Sequence, residues 1–173
     1  MSESNTPVSE KDYAQTPRWF INSLESLMGK RFQLDVCAER KTAKCVRYYN
    51  LDYNREDALE LPWLDFNWCN PPFTNIESFI DKCVIEAQSG NTSCVIMPNT
   101  PETAYVRKIK QVADTIIEMP FRLKFLRPDG SAFISDSGKE NSPKFSCLVG
   151  LVTPIGLIAP TRFMYHDFRI GFK

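Results

Sequence analysis

An α/β fold is the class this sequence predicts, and three observations predict it. Apolar runs of strand length alternate with segments whose apolar residues recur at helical spacing. Pro, Gly and Asn punctuate most of the changes between them, as chain reversals require. The 173 residues, 43% of them hydrophobic, supply one core of ordinary size, with no internal repeat and no second domain.

Thr16-Pro17 opens the first helix, because proline suits the first turn, and Trp19, Phe20, Leu24, Leu27 and Met28 mark its apolar face before Gly29 ends it. Residues 32–38 read as a buried strand closing in a polar turn, and residues 39–63 as a short helix and a second strand. Residues 65–69 form a further strand, stopped by Pro71-Pro72. Thr74 or Asn75 caps the next helix, whose face is Ile76, Phe79, Ile80, Cys83 and Ala87 and whose stop is Gly90. Residues 93–97 are a strand broken by Pro98, residues 102–113 a helix and residues 115–119 another strand. Residues 121–125 and 145–152 read as a late antiparallel pair. Between them, residues 126–144 are rich in Gly, Ser, Asp and Pro without periodicity, and a loop that long in a compact domain is usually functional. The polar stretch 1–15 reads as a flexible tail and residues 16–173 as the single domain.

Several classes of function drop out early. The longest apolar stretch falls far short of a membrane span, and the N-terminus lacks the basic-then-apolar build of a signal peptide, so a cytoplasmic protein is expected. Basic and acidic residues balance at 21 each, but residues 1–100 carry net −4 and residues 101–173 net +4. A polyanion therefore meets a local patch on the C-terminal side, with a modest salt slope. The six cysteines form no C-x-x-C pair and His166 is the one histidine, which leaves no zinc-ligand spacing and no expectation of a metal. Most lie in apolar runs, where free cysteine acts as a small hydrophobe in a reducing compartment.

Chemistry concentrates in Asn70-Pro71-Pro72-Phe73, directly after a strand. The prolines fix φ and lack N–H groups, so the corner is stiff and its carbonyls remain free acceptors. The Asn70 side-chain oxygen and the Pro71 carbonyl then converge on a cleft at the strand's carboxyl end, where open α/β sheets bind ligands. Phe73 adds a flat apolar face. Two acceptors and a stacking plane grip a planar group bearing an amine, such as a nucleobase or an amide.

The tetrapeptide resembles motif IV (Asp, Asn or Ser, then two prolines and an aromatic residue) of methyltransferases that use S-adenosylmethionine to methylate exocyclic or amide nitrogen. The wider chain resembles the phage and prophage DNA adenine-N6 methyltransferases, the Dam-like family. The blocks that carry this, in order, are Thr16-Pro17-Arg18-Trp19-Phe20, then Asp35-Val36-Cys37-Ala38, Asp57-Ala58-Leu59 and Trp68-Cys69 with the tetrapeptide, followed by Ile96-Met97-Pro98 and Phe121-Arg122-Leu123-Lys124-Phe125. The resemblance implies a Rossmann-like methyltransferase fold, a mostly parallel sheet with helices on both faces and the late antiparallel pair. It implies methyl transfer from S-adenosylmethionine to N6 of an adenine flipped out of duplex DNA, with Asn70, Pro71, Pro72 and Phe73 catalytic. It implies cofactor contacts from Thr16, Pro17, Trp19, Asp35, Cys37, Asp57 and Asn70. The chain departs from many methyltransferases in following the Asp35 strand with Val36-Cys37-Ala38-Glu39, without a Gly-rich turn.

Each of these residues also fits a plain structural duty. The tetrapeptide is a proline turn over a core Phe, Asp35 a turn cap, Asp57 (with Asp52 a weaker competitor) an exposed acid, and Thr16-Pro17 a helix start with Trp19 in the core. Arg122, Lys124 and Arg127 either face solvent or meet DNA phosphates, the first two alternating along one strand. Residues 126–144 are the first candidate for DNA recognition. A catalytically silent methyltransferase-like binding protein, or an enzyme acting on RNA or protein glutamine, shares the same features, and none of them encodes an oligomeric state.

Overall fold

Seven strands form one sheet in the order β2-β1-β3-β4-β6-β5-β7. They are β1 (Leu34–Asp35), β2 (Arg47–Tyr48), β3 (Phe66–Cys69), β4 (Thr92–Pro98), β5 (Thr115–Glu118), β6 (Cys147–Val152) and β7 (Arg162–Tyr165), in a computed structural model that describes residues 14–50, 57–135, 138–141 and 143–170. The β1–β2, β1–β3, β3–β4 and β5–β7 pairings are parallel. Strand β6 runs antiparallel between β4 and β5.

Three helices cover the sheet, α1 (Arg18–Met28), α2 (Ile76–Gln88) and α3 (Ala104–Val112). Because successive strand residues point to opposite faces, Trp68, Ile96, Ile117 and Val149 pack with Phe20, Ile21 and Leu24 of α1 on one side. Cys69, Val95, Met97, Ile116 and Leu148 pack with Ile80 and Cys83 of α2 and Val106 and Ile109 of α3 on the other. Burial on both faces explains why β4 and β6 read as continuous apolar runs rather than alternating ones. Gly150 is required where α3 crosses β6, since a Cβ there would stand 2.6 Å from Ile109 Cγ1. Gly29 ends α1 with φ 65°, and the Lys30 N–H donates back to the Glu25 carbonyl. No helix among the described residues is long and apolar enough to cross a membrane.

The expected α/β class, the mostly parallel sheet and the helices on both faces are all present. Three local expectations differ. Residues 121–125 are not a strand, because both edges of β6 are taken by β4 and β5 and the segment has no partner; its Leu123 plugs the α1-side core instead. The short helix expected within residues 39–63 is absent among the described residues, which form turns around 40 and 59. Strand β7 has no signal in the sequence, since all four of its side chains are exposed and no period sets them apart. Of the expected tail, residues 1–13 lie outside the described residues, while Gln15 exchanges two 2.9 Å backbone hydrogen bonds with Leu126.

Candidate active site

The chain steps from β1 to β2 on one side and places β3 on the other, so a crevice opens beyond the carboxyl ends of β1 and β3. A cavity of about 340 Å³ fills that crevice. Its walls include Asp35 and Cys37 after β1, Asn70 and Pro72 after β3, Thr16 before α1, and Asp57 and Leu59 from the loop beyond β2. Five candidates separated widely in sequence, Thr16, Asp35, Cys37, Asp57 and Asn70, thus meet in one space. Pro17 and Trp19 do not line it. Pro17 is buried at the start of α1, and its carbonyl accepts the Phe20 N–H. Trp19 is 43% exposed and lies edge-on to Phe20.

Asn70 is half-buried, at the mouth of the stiff corner. Its Nδ2 donates to the Ala14 carbonyl at 3.2 Å, which leaves Oδ1 with no partner among the described residues. The Pro71 carbonyl likewise accepts no hydrogen bond from them, whereas the Pro72 carbonyl closes a 3-10 turn (Phe73–Asn75) through the Asn75 N–H at 3.0 Å. Asn75 stands at the start of α2 but makes no side-chain cap, and it borders the cavity. Two acceptors are therefore left over from folding in adjacent residues of a corner whose backbone is fixed by its prolines.

Asp35 is 2% exposed. Its carboxylate accepts the backbone N–H groups of Cys37 at 3.3 Å and Lys44 at 2.9 Å, so the β1 end and the 44 loop are clasped around it. Arg18 fixes that loop from outside by donating to the Lys44 and Ala43 carbonyls. Burial pushes the Asp35 carboxyl up to about 6, against the opposing pull of those N–H groups and of the Lys44 and Arg18 charges. Lys44, half-buried, is lowered to about 8 by burial and by Arg18, and its Nζ donates to Gln15 Oε1 at 2.6 Å. Burial also raises the Cys37 and Cys69 thiols, so neither is a thiolate nucleophile at neutral pH.

The far wall is held by side chains that bond backbone. Tyr49 Oη donates to the Pro62 carbonyl and Trp63 Nε1 to the Ala58 carbonyl, at 2.6 and 2.7 Å. Asp57 accepts the Leu59 N–H on Oδ1 at 2.9 Å. Asp52 lies outside the described residues. On the near wall the Thr16 hydroxyl is fully buried and has no hydrogen-bond partner among the described residues.

A second cavity, about 650 Å³, lies beyond the carboxyl ends of β4 and β5. Asn99, Phe121, Arg122, Lys144 and Phe145 are among its lining residues. Phe73 is 37% exposed and meets Phe145, which lines this second cavity, edge-on at 5.8 Å, while Asn70 and Pro72 of the same tetrapeptide line the first. Of the three basic candidates, Arg122 lines this second cavity. Lys124 is paired with Glu140 at 2.6 Å, and the Arg127 guanidinium lies 5.5 Å over the Phe133 ring. Sequence reasoning missed Lys44 and Gln15, which sit in stretches without motif or period, and Lys144, which closes the irregular segment.

The family model described as DNA N-6-adenine-methyltransferase (Dam) matches residues 3–153. A DNA N-6-adenine-methyltransferase of Haemophilus phage HP1 (strain HP1c1) is 22% identical over 172 residues, which cover 98% of this chain and 96% of that protein. A DNA N-6-adenine-methyltransferase of Escherichia phage T1 is 29% identical over 146 residues, 79% of this chain and 60% of that one. The chain belongs to the Dam family of DNA N-6-adenine methyltransferases.

Proposed function

With membership of that family as the premise, we propose that this enzyme methylates adenine N6 in duplex DNA with S-adenosylmethionine held in the 340 Å³ cavity and the target base flipped out of the helix. One observation carries the reading: Asn70, whose Oδ1 has no partner among the described residues, lines the same cavity as a buried carboxylate, Asp35, and Thr16.

The residues present fit that cofactor. The volume lies within the range of small-molecule sites. The acidic lining, Asp35, Glu39 and Asp57, suits a ligand that brings an ammonium and ribose hydroxyls. Asp35 would hold the ammonium of the methionine part and Asp57 the ribose, with Thr16 Oγ1 gaining the partner it lacks. The cofactor supplies a methyl group on a sulfonium, electrophilic enough to need no metal.

The chain's own residues then do three things. Asn70 Oδ1 and the Pro71 carbonyl accept the two N–H bonds of the adenine amine, which draws density onto nitrogen and aims its lone pair. Asn70 is neutral and is no general base; its contribution is electrostatic positioning, preset by the proline corner before the base arrives. Phe73, partly exposed, stacks on the extruded base and offsets part of the few kcal/mol that unstacking costs. The proton leaves to solvent after transfer. Arg122 meets the DNA backbone at the second cavity, and residues 126–144 approach the groove.

Tritiated methyl incorporation into duplex DNA, RNA and protein, with S-adenosylmethionine binding followed by calorimetry, tests this directly. Incorporation into DNA at adenine N6 is the expected result. Cofactor binding with label in RNA or in glutamine would move the substrate class, and no cofactor binding to pure protein would leave a silent binding protein.

A further inference from the structure

Three consecutive residues, Ala14, Gln15 and Thr16, each reach a different part of the site. The Ala14 carbonyl accepts from Asn70 Nδ2 at 3.2 Å. Thr16 lines the cavity, with its hydroxyl buried and without a partner among the described residues. Gln15 faces two ways at once. Its Oε1 accepts from Lys44 Nζ at 2.6 Å, on the wall that clasps Asp35. Its Nε2 donates to the carbonyls of Arg127 at 2.7 Å and Pro128 at 3.2 Å. Its backbone N–H and C=O both pair with Leu126 at 2.9 Å. Beyond Leu126 the segment folds back on itself through bridges Leu126–Ala132 and Ile134–Glu140. Gln15 is thus bonded to both the cavity wall and the root of the segment that the proposed function turns toward DNA.

We propose that Gln15 is a positioning residue that couples cofactor occupancy to the placement of residues 126–131, so that a filled cavity presets the DNA-side segment. The physics is a shared set of hydrogen bonds. An amide carries an acceptor at one end and donors at the other, so it satisfies both walls only in one orientation. A ligand that holds Asp35 and Thr16 fixes the Thr16 backbone and the Lys44 loop, and thereby the orientation of Gln15 between them. Linkage then requires the reverse as well: a DNA-bound segment must raise cofactor affinity by the same factor, on the order of 5–150-fold for couplings of this kind. This inference rests on the cofactor reading above.

The test uses the full chain and S-adenosylhomocysteine, which occupies the cofactor site without reacting. Calorimetry records binding, and amide hydrogen exchange records residues 126–131. In the unaltered protein, saturating ligand is expected to slow exchange at Leu126 and Arg127 on the order of tenfold. Gln15→Glu keeps the acceptor that faces Lys44 and loses the donors that face Arg127 and Pro128. It is expected to bind the ligand within about threefold of the unaltered affinity while the protection at 126–131 disappears. Gln15→Ala removes both ends and serves as the second variant, with circular dichroism as the check on folding. With DNA as substrate, both variants are expected to raise KM for DNA more than they lower kcat. Ligand binding without protection in the unaltered protein, or full protection in Gln15→Glu, overturns the coupling and leaves the cofactor reading standing. Absence of a binding heat in the unaltered protein overturns both.

Discussion

The two cavities at the carboxyl ends of the strands are built by different means. The one beside Asp35 is made by folding itself: its carboxylate is 2% exposed, and backbone amides clasp it from two loops. The one beside Arg122 is made from the surface, with an exposed cation and two aromatic rings on segments that belong to no strand or helix. The difference teaches where each kind of chemistry is affordable. Groups that must meet a small ligand in one geometry are fixed by the sheet and its prolines. Groups that must follow a long, flexible polyanion sit on irregular chain, where adapting distorts little else.

Asp35 offers the larger way to sharpen that contrast. Its folded carboxyl is raised to about 6 from 3.8. The folded state therefore holds a proton that the unfolded chain has released between those values. The stability this contributes is present below pH 3.8 and is lost as pH rises through 6. The difference is about 3 kcal/mol, since each tenfold change in proton affinity is worth about 1.36 kcal/mol. At neutral pH the empty site thus holds a charge at a cost that a bound ammonium relieves. Cofactor affinity is expected to be flat just above pH 7 and to weaken by up to tenfold for each step of one in pH below 6, measured by calorimetry across pH. Asp35→Asn should weaken binding at pH 7 and erase the acid limb; an unchanged acid limb breaks the assignment.

Arg122 carries the smaller effect. Arg122→Ala is expected to lower DNA affinity several-fold and to reduce the slope of log affinity against log salt by about 1, with cofactor affinity unaltered. Lys124→Ala should change the slope less, because its ammonium is already paired with Glu140. A salt titration of both variants compares them, and equal slopes would mean that the second cavity does not select between the two cations.

What the sequence made legible follows the same division. The proline corner announces itself because Asn70-Pro71-Pro72-Phe73 is local, and a strand before it with a helix after it is enough to place it. Asp35 is legible for the same reason, as a polar residue ending an apolar run. Trp19, by contrast, shares a helix with core residues yet is 43% exposed and does not line the cavity, because only the helix phase decides which side of α1 it takes. Strand β6 shows as an apolar run, but its position between β4 and β5 depends on contacts remote in sequence, and so residues 121–125 read as its partner. Gln15 and Lys44 were invisible. Each works through hydrogen bonds to distant backbone, which leaves no period and no motif in the chain.

The central claim is that Asn70 acts by offering a fixed acceptor to the amine, and side-chain replacement at that position tests it most directly. Single-turnover methyl transfer to DNA would be measured with cofactor and DNA saturating, for Asn70→Ala and Asn70→Asp. The account predicts a loss on the order of 10²–10³-fold for Asn70→Ala with cofactor affinity nearly unchanged, and a distinctly smaller loss for Asn70→Asp, which keeps an acceptor in place. Transfer by Asn70→Ala at the unaltered rate, or equal losses in the two variants, would contradict it.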